Sequence, residues 1–252
     1  MEWTDQGIVL GARSHGESAA IVELLTREHG RHLGYVNGAR GKRLAAVVQP
    51  GNTVAATWRA RTDEQMGTFG LEGVALRSGA LMASRLALYG LATMSAHLRH
   101  LPERDPHPAL YVAAEALVSH LDDPDLAPRL FVAFELALLA ELGFGLDLGR
   151  CALTGAEDDL AWVSPRSGRA VSRDAGAPWA DKLLPLPPFL TARGRTGEGA
   201  QDPTPEEIAL GIALTSHFLE RAVFAPSGAQ APPERLRLVG LAVATAASRS
   251  EA

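Results

Sequence analysis

The sequence has one cysteine and no long apolar run, and these two absences exclude several classes of protein. Cys151 is the single thiol among 252 residues, so the chain has no internal disulfide framework and no zinc site built mainly from thiolates. The longest stretch without Asp, Glu, Lys or Arg covers 15 residues, 44–58, whereas a membrane-spanning helix needs about 20 apolar residues. Glu2 and Asp5 stand where a signal peptide carries positive charge. We therefore expect no membrane association and a cytoplasmic location.

Catalytic motifs are missing as well. The nearest match to a phosphate-binding loop, residues 38–43, has Arg43 where the motif needs a Ser or Thr hydroxyl. No serine lies in the Gly-x-Ser-x-Gly pattern of the α/β-hydrolases. Cys151 has no histidine near it in the sequence, and unactivated cysteines are mostly inert. The histidine pairs spaced three apart lack an acidic or cysteine partner at ligand spacing. The sequence predicts a protein that is not an enzyme and has no metal site.

Neither sign of charge is in large excess overall, but the basic residues are unevenly distributed along the chain. With 24 Lys and Arg against 29 Asp and Glu the net charge is −5, which excludes a polycationic nucleic-acid coat. Residues 27–61 nevertheless contain seven basic side chains and one acidic, a local balance of +6. Such a local field attracts polyanions even on an acidic protein, although a solvated basic loop would give the same count.

Aromatic residues are scarce, at 6% of the chain. Proteins that bind single-stranded nucleic acids combine cations for the phosphates with aromatic rings on which the bases stack. Tyr35 lies beside the basic loop and is therefore the best stacking candidate. Trp58 and Phe69 are expected to fill the core of their domain instead.

The first 79 residues show the pattern of short strands separated by turns. Glycine-, proline- and asparagine-rich breaks divide them into five β-compatible segments, at 7–13, 18–26, 32–37, 53–61 and 68–76. Isolated hairpins of this length would leave too little core to be stable. The regular spacing of the turns therefore predicts a small closed β-barrel over residues 1–79.

From residue 80 the apolar period becomes helical. Helices are expected at 84–98, after the Asp105–Pro106 cap, at 128–142, at 204–224 and from Pro232 to about Ser248. An irregular insert with five prolines, residues 146–200, separates the third of these helices from the fourth. The fold class is α+β, a β-barrel followed by an α-helical domain of residues 80–248.

Three stretches of the chain resemble the RecO family of bacterial DNA-repair proteins. They are GIVLGARSHGESAAIVELLTREHGRHLGYVNGARGKR at 7–43, FELALLAELGFGLDLGRCALTG at 134–155 and VSPRSGRAVS at 163–172. The resemblance implies an N-terminal OB-fold and a recombination mediator that binds single- and double-stranded DNA and anneals complementary strands. It also implies that the chain, together with its partner RecR, helps to load RecA, and that it binds the acidic, apolar C-terminal tail of single-strand-binding protein.

The chain departs from the family at one element. Many members carry a four-cysteine zinc element, in which Cys151 matches the first ligand. Thr154, Ser172 and Ala175 occupy the positions of the other three. Tetrahedral structural zinc needs four ligands, so we expect no metal and no other cofactor.

Two sets of candidate site residues follow. For DNA, we expect Tyr35 to stack on bases and the basic face of the barrel to contact phosphates, through Arg13, Arg31, Arg40, Lys42, Arg43, Arg59 and Arg61. For the tail of single-strand-binding protein, Arg129, Val132 and Leu136 fall on one face of the helix at 128–142, where a cation lies beside an apolar strip.

Several alternatives remain open from the sequence. Val132 and Leu136 could be plain core residues, with the tail bound instead near Arg235 and Arg237 on the last helix. The basic loop would also suit an RNA-binding OB-fold protein. A protein-interaction scaffold and an unrecognised hydrolase are further possibilities of other classes.

Overall fold

The computed structural model of the chain describes residues 1–192, 194 and 201–250, with the backbone alone for residues 242–250. The end of the predicted insert, residues 193 and 195–200, lies outside the described residues. The chain divides into two compact units, Met1–Asp123 and the residues from Pro124 onward. The helices that directly follow the barrel thus group with it, while the boundary at residue 79, drawn from the change of period, stays a prediction.

Five strands of the first unit form a closed barrel, as the sequence predicts for an OB-fold. They pair in the order β1-β2-β3-β5-β4, with β1 also paired to β4. All neighbours are antiparallel except β3 and β5, which meet in parallel. Their bounds are β1 Glu2–His15, β2 Ala19–Thr26, β3 Gly30–Val36, β4 Thr53–Arg59 and β5 Thr68–Ala75.

The barrel interior is filled by every second residue of each strand, because successive side chains of a strand point to opposite faces. Trp58 and Phe69 are both buried, as expected. Gly34 is required opposite Phe69, since a Cβ there would lie 2.5 Å from the ring. Other members of the core are Val9, Val22, Leu24, Val36, Val54 and Leu71.

The first unit differs from the sequence-based prediction at several boundaries. Strand β1 begins five residues before the predicted segment. Only Trp3 and Asp5 of this extension are half-buried, and the polar residues between them face solvent, so the sequence shows no apolar run there. The expected loop at 38–43 runs into a one-turn helix, α1 (Lys42–Ala45). A short helix that the period did not predict, α2 (Ser78–Ala83), precedes α3 (Arg85–Leu98) and α4 (Pro108–Val118).

The second unit contains α5 (Ala127–Glu141), α6 (Arg173–Gly176), α7 (Pro205–Leu219), α8 (Ala225–Ser227) and α9 (Pro233–Ser250). The period predicts α5, α7 and α9, whereas the short helices α6 and α8 are not expected from the sequence. The capping box at Thr204 and Glu207 is confirmed, with both reciprocal hydrogen bonds present. By length and composition the stretch Pro205–Ser227 could cross a membrane, but half of it is buried inside the unit, as in a core helix.

The description of the insert as irregular is wrong. Its described part contains an antiparallel sheet in the order β7-β6-β8, with β6 Leu160–Val163, β7 Ala170–Ser172 and β8 Leu184–Pro185. Strands of two to four residues carry too short a period to be recognised, and the prolines of this region indicate loop when read alone.

Candidate nucleic-acid interface

One row of side chains runs around the outside of the barrel. Directly paired residues on neighbouring strands point to the same face, and the pairs Arg13–Ile21, Ile21–Tyr35, Tyr35–Thr68 and Thr68–Arg59 are continuous. Their chain neighbours Trp58 and Phe69 point into the core, so this row points outward. The barrel thus brings Arg13, Tyr35 and Arg59, which are up to 46 residues apart in the sequence, into one row.

The loop after β3 adds further cations beside Tyr35. Arg40 is exposed, and its Nη1 donates to the carbonyl of Glu17 at 3.2 Å while its backbone N–H donates to Ser18 at 3.2 Å. These bonds hold the loop against the turn between β1 and β2. Lys42 and Arg43 follow in α1, both exposed. The basic loop therefore lies next to the end of β1 that carries Arg13, as the phosphate-contact hypothesis requires.

Several of the predicted cations have no partner within the part of the chain that the structure describes. The side chains of Arg13, Lys42, Arg43 and Arg61 form no ion pair or hydrogen bond with any residue that the structure describes. Exposed, unpaired cations remain available for phosphate oxygens. Near them the ring of His15 lies 5.0 Å from that of Tyr35, so the aromatic member of the row is a pair of rings.

Arg31 is occupied within the protein. Its Nη1 lies 2.8 Å from a carboxylate oxygen of Glu23, and its side chain is 11% exposed. Arg99, from the turn after α3, donates to the other oxygen of the same carboxylate at 2.7 Å. Two arginines therefore share one buried carboxylate, and Arg31 is held in an ion pair with Glu23.

Arg59 also has a partner, but an exposed one. Its guanidinium lies 2.8 Å from the Glu2 carboxylate across the β1–β4 pair. The hydrogen bond from Arg59 lowers the pKa of Glu2, and the same bond raises the pKa of Arg59. Exposed pairs of this kind are weak, so a phosphate can compete with Glu2 for Arg59.

Arg99 and Arg104 are functional candidates that the sequence did not indicate. Arg104 donates to the carbonyls of Asp63 and, at 2.8 Å, Gln65, in the loop between β4 and β5. It thereby fixes the loop that carries Arg61. Both arginines act on barrel residues 39 to 76 positions away, and no local sequence pattern reports contacts over such separations.

The three residues predicted to bind the tail lie on α5, in different environments. Arg129 pairs with the exposed Asp202 at 2.7 Å. Leu136 is half-buried, whereas Val132 is completely buried. Of the alternative cations, Arg235 is buried in an ion pair with Glu135 at 2.7 Å, and Arg237 is exposed. The accessible part of the predicted strip is therefore Arg129 with Leu136.

The residues around Cys151 do not fit zinc. The buried sulfur accepts hydrogen bonds from the backbone N–H of Ser172 at 3.3 Å and from its hydroxyl at 3.4 Å. Burial raises the pKa of Cys151, but hydrogen bonds from Ser172 and Thr154 outweigh it and lower the pKa to about 6. Neutral hydroxyls that already donate to the sulfur are not the thiolate or imidazole ligands that structural zinc uses.

We therefore predict that purified protein carries no stoichiometric zinc. Elemental analysis should give well under one zinc per chain, and a strong chelator should leave the unfolding temperature unchanged, because one thiolate cannot replace four ligands. A relative with four cysteines, purified in parallel, is the positive control. A chelator-sensitive metal whose removal unfolds this chain would contradict the prediction.

Comparison with known proteins assigns both parts of the chain to one family. The family model described as Recombination protein O N terminal matches residues 1–75, and that described as Recombination protein O C terminal matches residues 82–230. The chain belongs to the RecO family of DNA-repair proteins. The resemblance seen in the sequence is confirmed, and so is the assignment to DNA repair and recombination.

Individual RecO relatives match over nearly their full length. A DNA repair protein RecO of Methylorubrum extorquens is 56% identical over 241 residues, which cover 96% of this chain and 98% of the relative. That of Methylobacterium nodulans is 56% identical over 246 residues, 98% and 100% of the two chains. That of Mesorhizobium japonicum is 53% identical over 236 residues, 93% and 91%.

Proposed function

We propose that this RecO-family chain is a recombination mediator that binds single- and double-stranded DNA through the outer face of its barrel and anneals complementary strands. The observation that carries the proposal is the outward row from Arg13 through Tyr35 to Arg59, with Lys42 and Arg43 unpaired beside it. OB-folds bind oligonucleotides on the face of their second and third strands, and here Tyr35 lies on the third.

The exposed cations are suited to phosphates rather than to a particular base. Arg13, Arg40, Lys42, Arg43 and Arg61 provide five positive charges, and Arg59 adds a sixth when it leaves Glu2. Each phosphate contact releases counterions, so the affinity falls as salt rises. Arg31 makes no phosphate contact in this proposal, since it is held in an ion pair with Glu23.

Annealing follows from the same charges. Two complementary strands repel each other through their phosphates, and a surface that neutralises part of that charge lowers the repulsion at the moment of encounter. In this proposal the protein acts through binding alone, with no covalent step. It acts in the cytoplasm. RecR, RecA and single-strand-binding protein are the partners that we propose with it.

Strand annealing tests this function most directly. We would mix complementary strands coated with single-strand-binding protein, with and without this chain, and follow duplex formation. The wild type should accelerate annealing, and the triple variant Arg13→Glu, Lys42→Glu, Arg43→Glu should lose most of the acceleration. Arg85→Glu at the start of α3, about 20 Å along that helix from Arg99, is the matched control. Competition between DNA and RNA of equal sequence separates this function from RNA binding.

For the tail of single-strand-binding protein we propose docking beside Arg129 and Leu136. Arg129 is released from the exposed Asp202 and donates to the terminal carboxylate, while the apolar end of the tail packs on Leu136. Val132 makes no direct contact with the tail in this proposal, because it is completely buried.

We predict that Arg129→Glu weakens binding of a labelled tail peptide at least about tenfold, because attraction to the carboxylate becomes repulsion. Fluorescence anisotropy measures the affinity, and Arg173→Glu, an exposed site in the same unit, is the control. DNA affinity should not change. Equal peptide affinity of Arg129→Glu and wild type would move the site elsewhere, with Arg237 the next candidate.

A further inference from the structure

A groove of about 580 Å³ lies beside the proposed DNA-binding row, on the same outer face of the barrel. Its walls come from β1, β2 and β3 on one side and from the turn after α3 on the other. The directly paired residues Gly11, Glu23 and Leu33 cross its floor one row away from Arg13 and Ile21. Arg31, Arg99 and Glu103 complete the lining.

The groove differs chemically from the phosphate-binding surface around it. Its floor is apolar at Ile21 and Leu33 and open at Gly11, and its cations Arg31 and Arg99 both pair with Glu23. A second carboxylate, Glu103, lies 3.5 Å from Arg31. The unpaired cation Arg13 lies at the side of this groove. The two carboxylates balance Arg31 and Arg99, so the interior carries no net charge and an anion is attracted mainly to Arg13 at the rim.

From this arrangement we infer that the groove holds one unstacked base of single-stranded DNA, while the adjoining phosphate binds Arg13. The inference rests on the proposed DNA-binding function, and it assigns the groove as the place where one base binds. The volume of the groove lies in the range of small-ligand sites, and its apolar floor at Ile21 and Leu33 suits the ring of a base. The guanidinium of Arg99, whose side chain lines the groove and is 51% exposed, can donate to a ring nitrogen or carbonyl of the base.

The groove gives the protein a means of distinguishing single strands from duplexes. A base in a duplex is stacked and paired and cannot enter, so a duplex gains only the phosphate contacts. A single strand gains the phosphate contacts and the base contact together. Stacking or burial of one base changes affinity by roughly five- to 150-fold. We therefore expect preferential binding of single strands by at least about fivefold at matched phosphate number.

Gly11 provides a way to fill the groove. A Cβ added there meets only Nη2 of Arg99, at 3.6 Å, which is an ordinary contact, and the φ of Gly11 is not in the left-handed region. Gly11→Leu therefore places a side chain in the groove, and Gly11→Ala is the matched control that fills little of it. Leu33→Trp fills the groove from β3, at the other end of its floor, if Gly11→Leu unfolds the barrel.

The experiment compares two oligonucleotides of equal length and charge, one with normal bases and one with abasic sites throughout. Wild type and Gly11→Ala should bind the oligonucleotide with bases at least about fivefold more tightly, and Gly11→Leu or Leu33→Trp should lower this difference by at least about fivefold, leaving only the part that comes from stacking on Tyr35. Duplex affinity should be unchanged in all four proteins. If the filled variants keep the full difference, the base lies elsewhere and the inference is overturned.

A different result would contradict the proposed DNA-binding function. If only the groove inference is wrong, Lys42→Glu and Arg43→Glu still lower the affinity for duplex DNA. If those charge reversals leave duplex affinity unchanged, the DNA-binding face itself is wrong, whatever the filled variants show.

Discussion

Arg235→Ala is expected to lower the free energy of unfolding of the second unit by about 3–5 kcal/mol, because it leaves a charged carboxylate buried without its cation. Glu135 on α5 has no exposed surface, and Arg235 on α9 is 4% exposed. The guanidinium donates to both Glu135 oxygens, at 2.7 and 2.8 Å, and to the Ser216 hydroxyl at 2.9 Å. This network joins α5, α7 and α9.

Chemical denaturation measures the loss, and an exposed ion pair of the same unit gives its control. Arg173 pairs with Asp159 at 3.1 Å with both side chains more than half exposed, so Arg173→Ala should cost less than about 1 kcal/mol. The double variant Glu135→Leu, Arg235→Met should recover most of the stability, since it removes both charges together. Equal losses for Arg235→Ala and Arg173→Ala would show that the buried pair does not stabilise the unit.

Asn52→Leu is expected to destabilise the first unit by about 3–5 kcal/mol, because four backbone groups lose their partner together. The buried Asn52 amide donates to the carbonyls of Ala46, at 2.7 Å, and Val47. Its oxygen accepts from the backbone N–H groups of Arg77 and Ser78, at 2.8 and 3.0 Å. One side chain thus ties the loop before β4 to the start of α2.

Hydrogen exchange read by mass spectrometry locates this loss in the barrel peptides, and denaturation gives its size. Asn37→Leu is the matched control, because Asn37 is exposed and its side chain makes no hydrogen bond with any described residue. It should change stability by less than about 0.5 kcal/mol. An Asn52→Leu protein that exchanges as slowly as wild type would show that the four bonds are replaced by others or by water.

The sequence was sufficient to predict the barrel because the residues that mark its turns are local signals. Turn residues at Gly16, Gly30 and Gly51 take positive φ, a conformation that glycine adopts without strain, so their spacing marks the strand ends. The small sheet of the insert was missed because its strands are too short to show a period. The predicted first strand is too short because the polar residues Glu2, Thr4 and Gln6 occupy the outward positions at the start of β1.

The candidate site was predictable in composition but not in arrangement. The density of cations in 27–61 indicated the region that carries most of the proposed row, and Tyr35 lies beside the basic loop. The occupation of Arg31 by Glu23, with Arg99 as a second partner, depends on contacts over 8 and 76 residues, of which the sequence gives no sign. The row from Arg13 to Arg59 likewise exists only because the barrel closes.

The salt dependence of single-strand binding tests the central claim, that the outer face of the barrel contacts DNA phosphates. The logarithm of the affinity should fall linearly with the logarithm of the salt concentration, with about 0.7 of slope for each phosphate contact on a single strand. The triple variant Arg13→Glu, Lys42→Glu, Arg43→Glu should lower that slope by about two units, and Arg85→Glu should leave it unchanged. A triple variant with the slope and affinity of wild type would contradict the account.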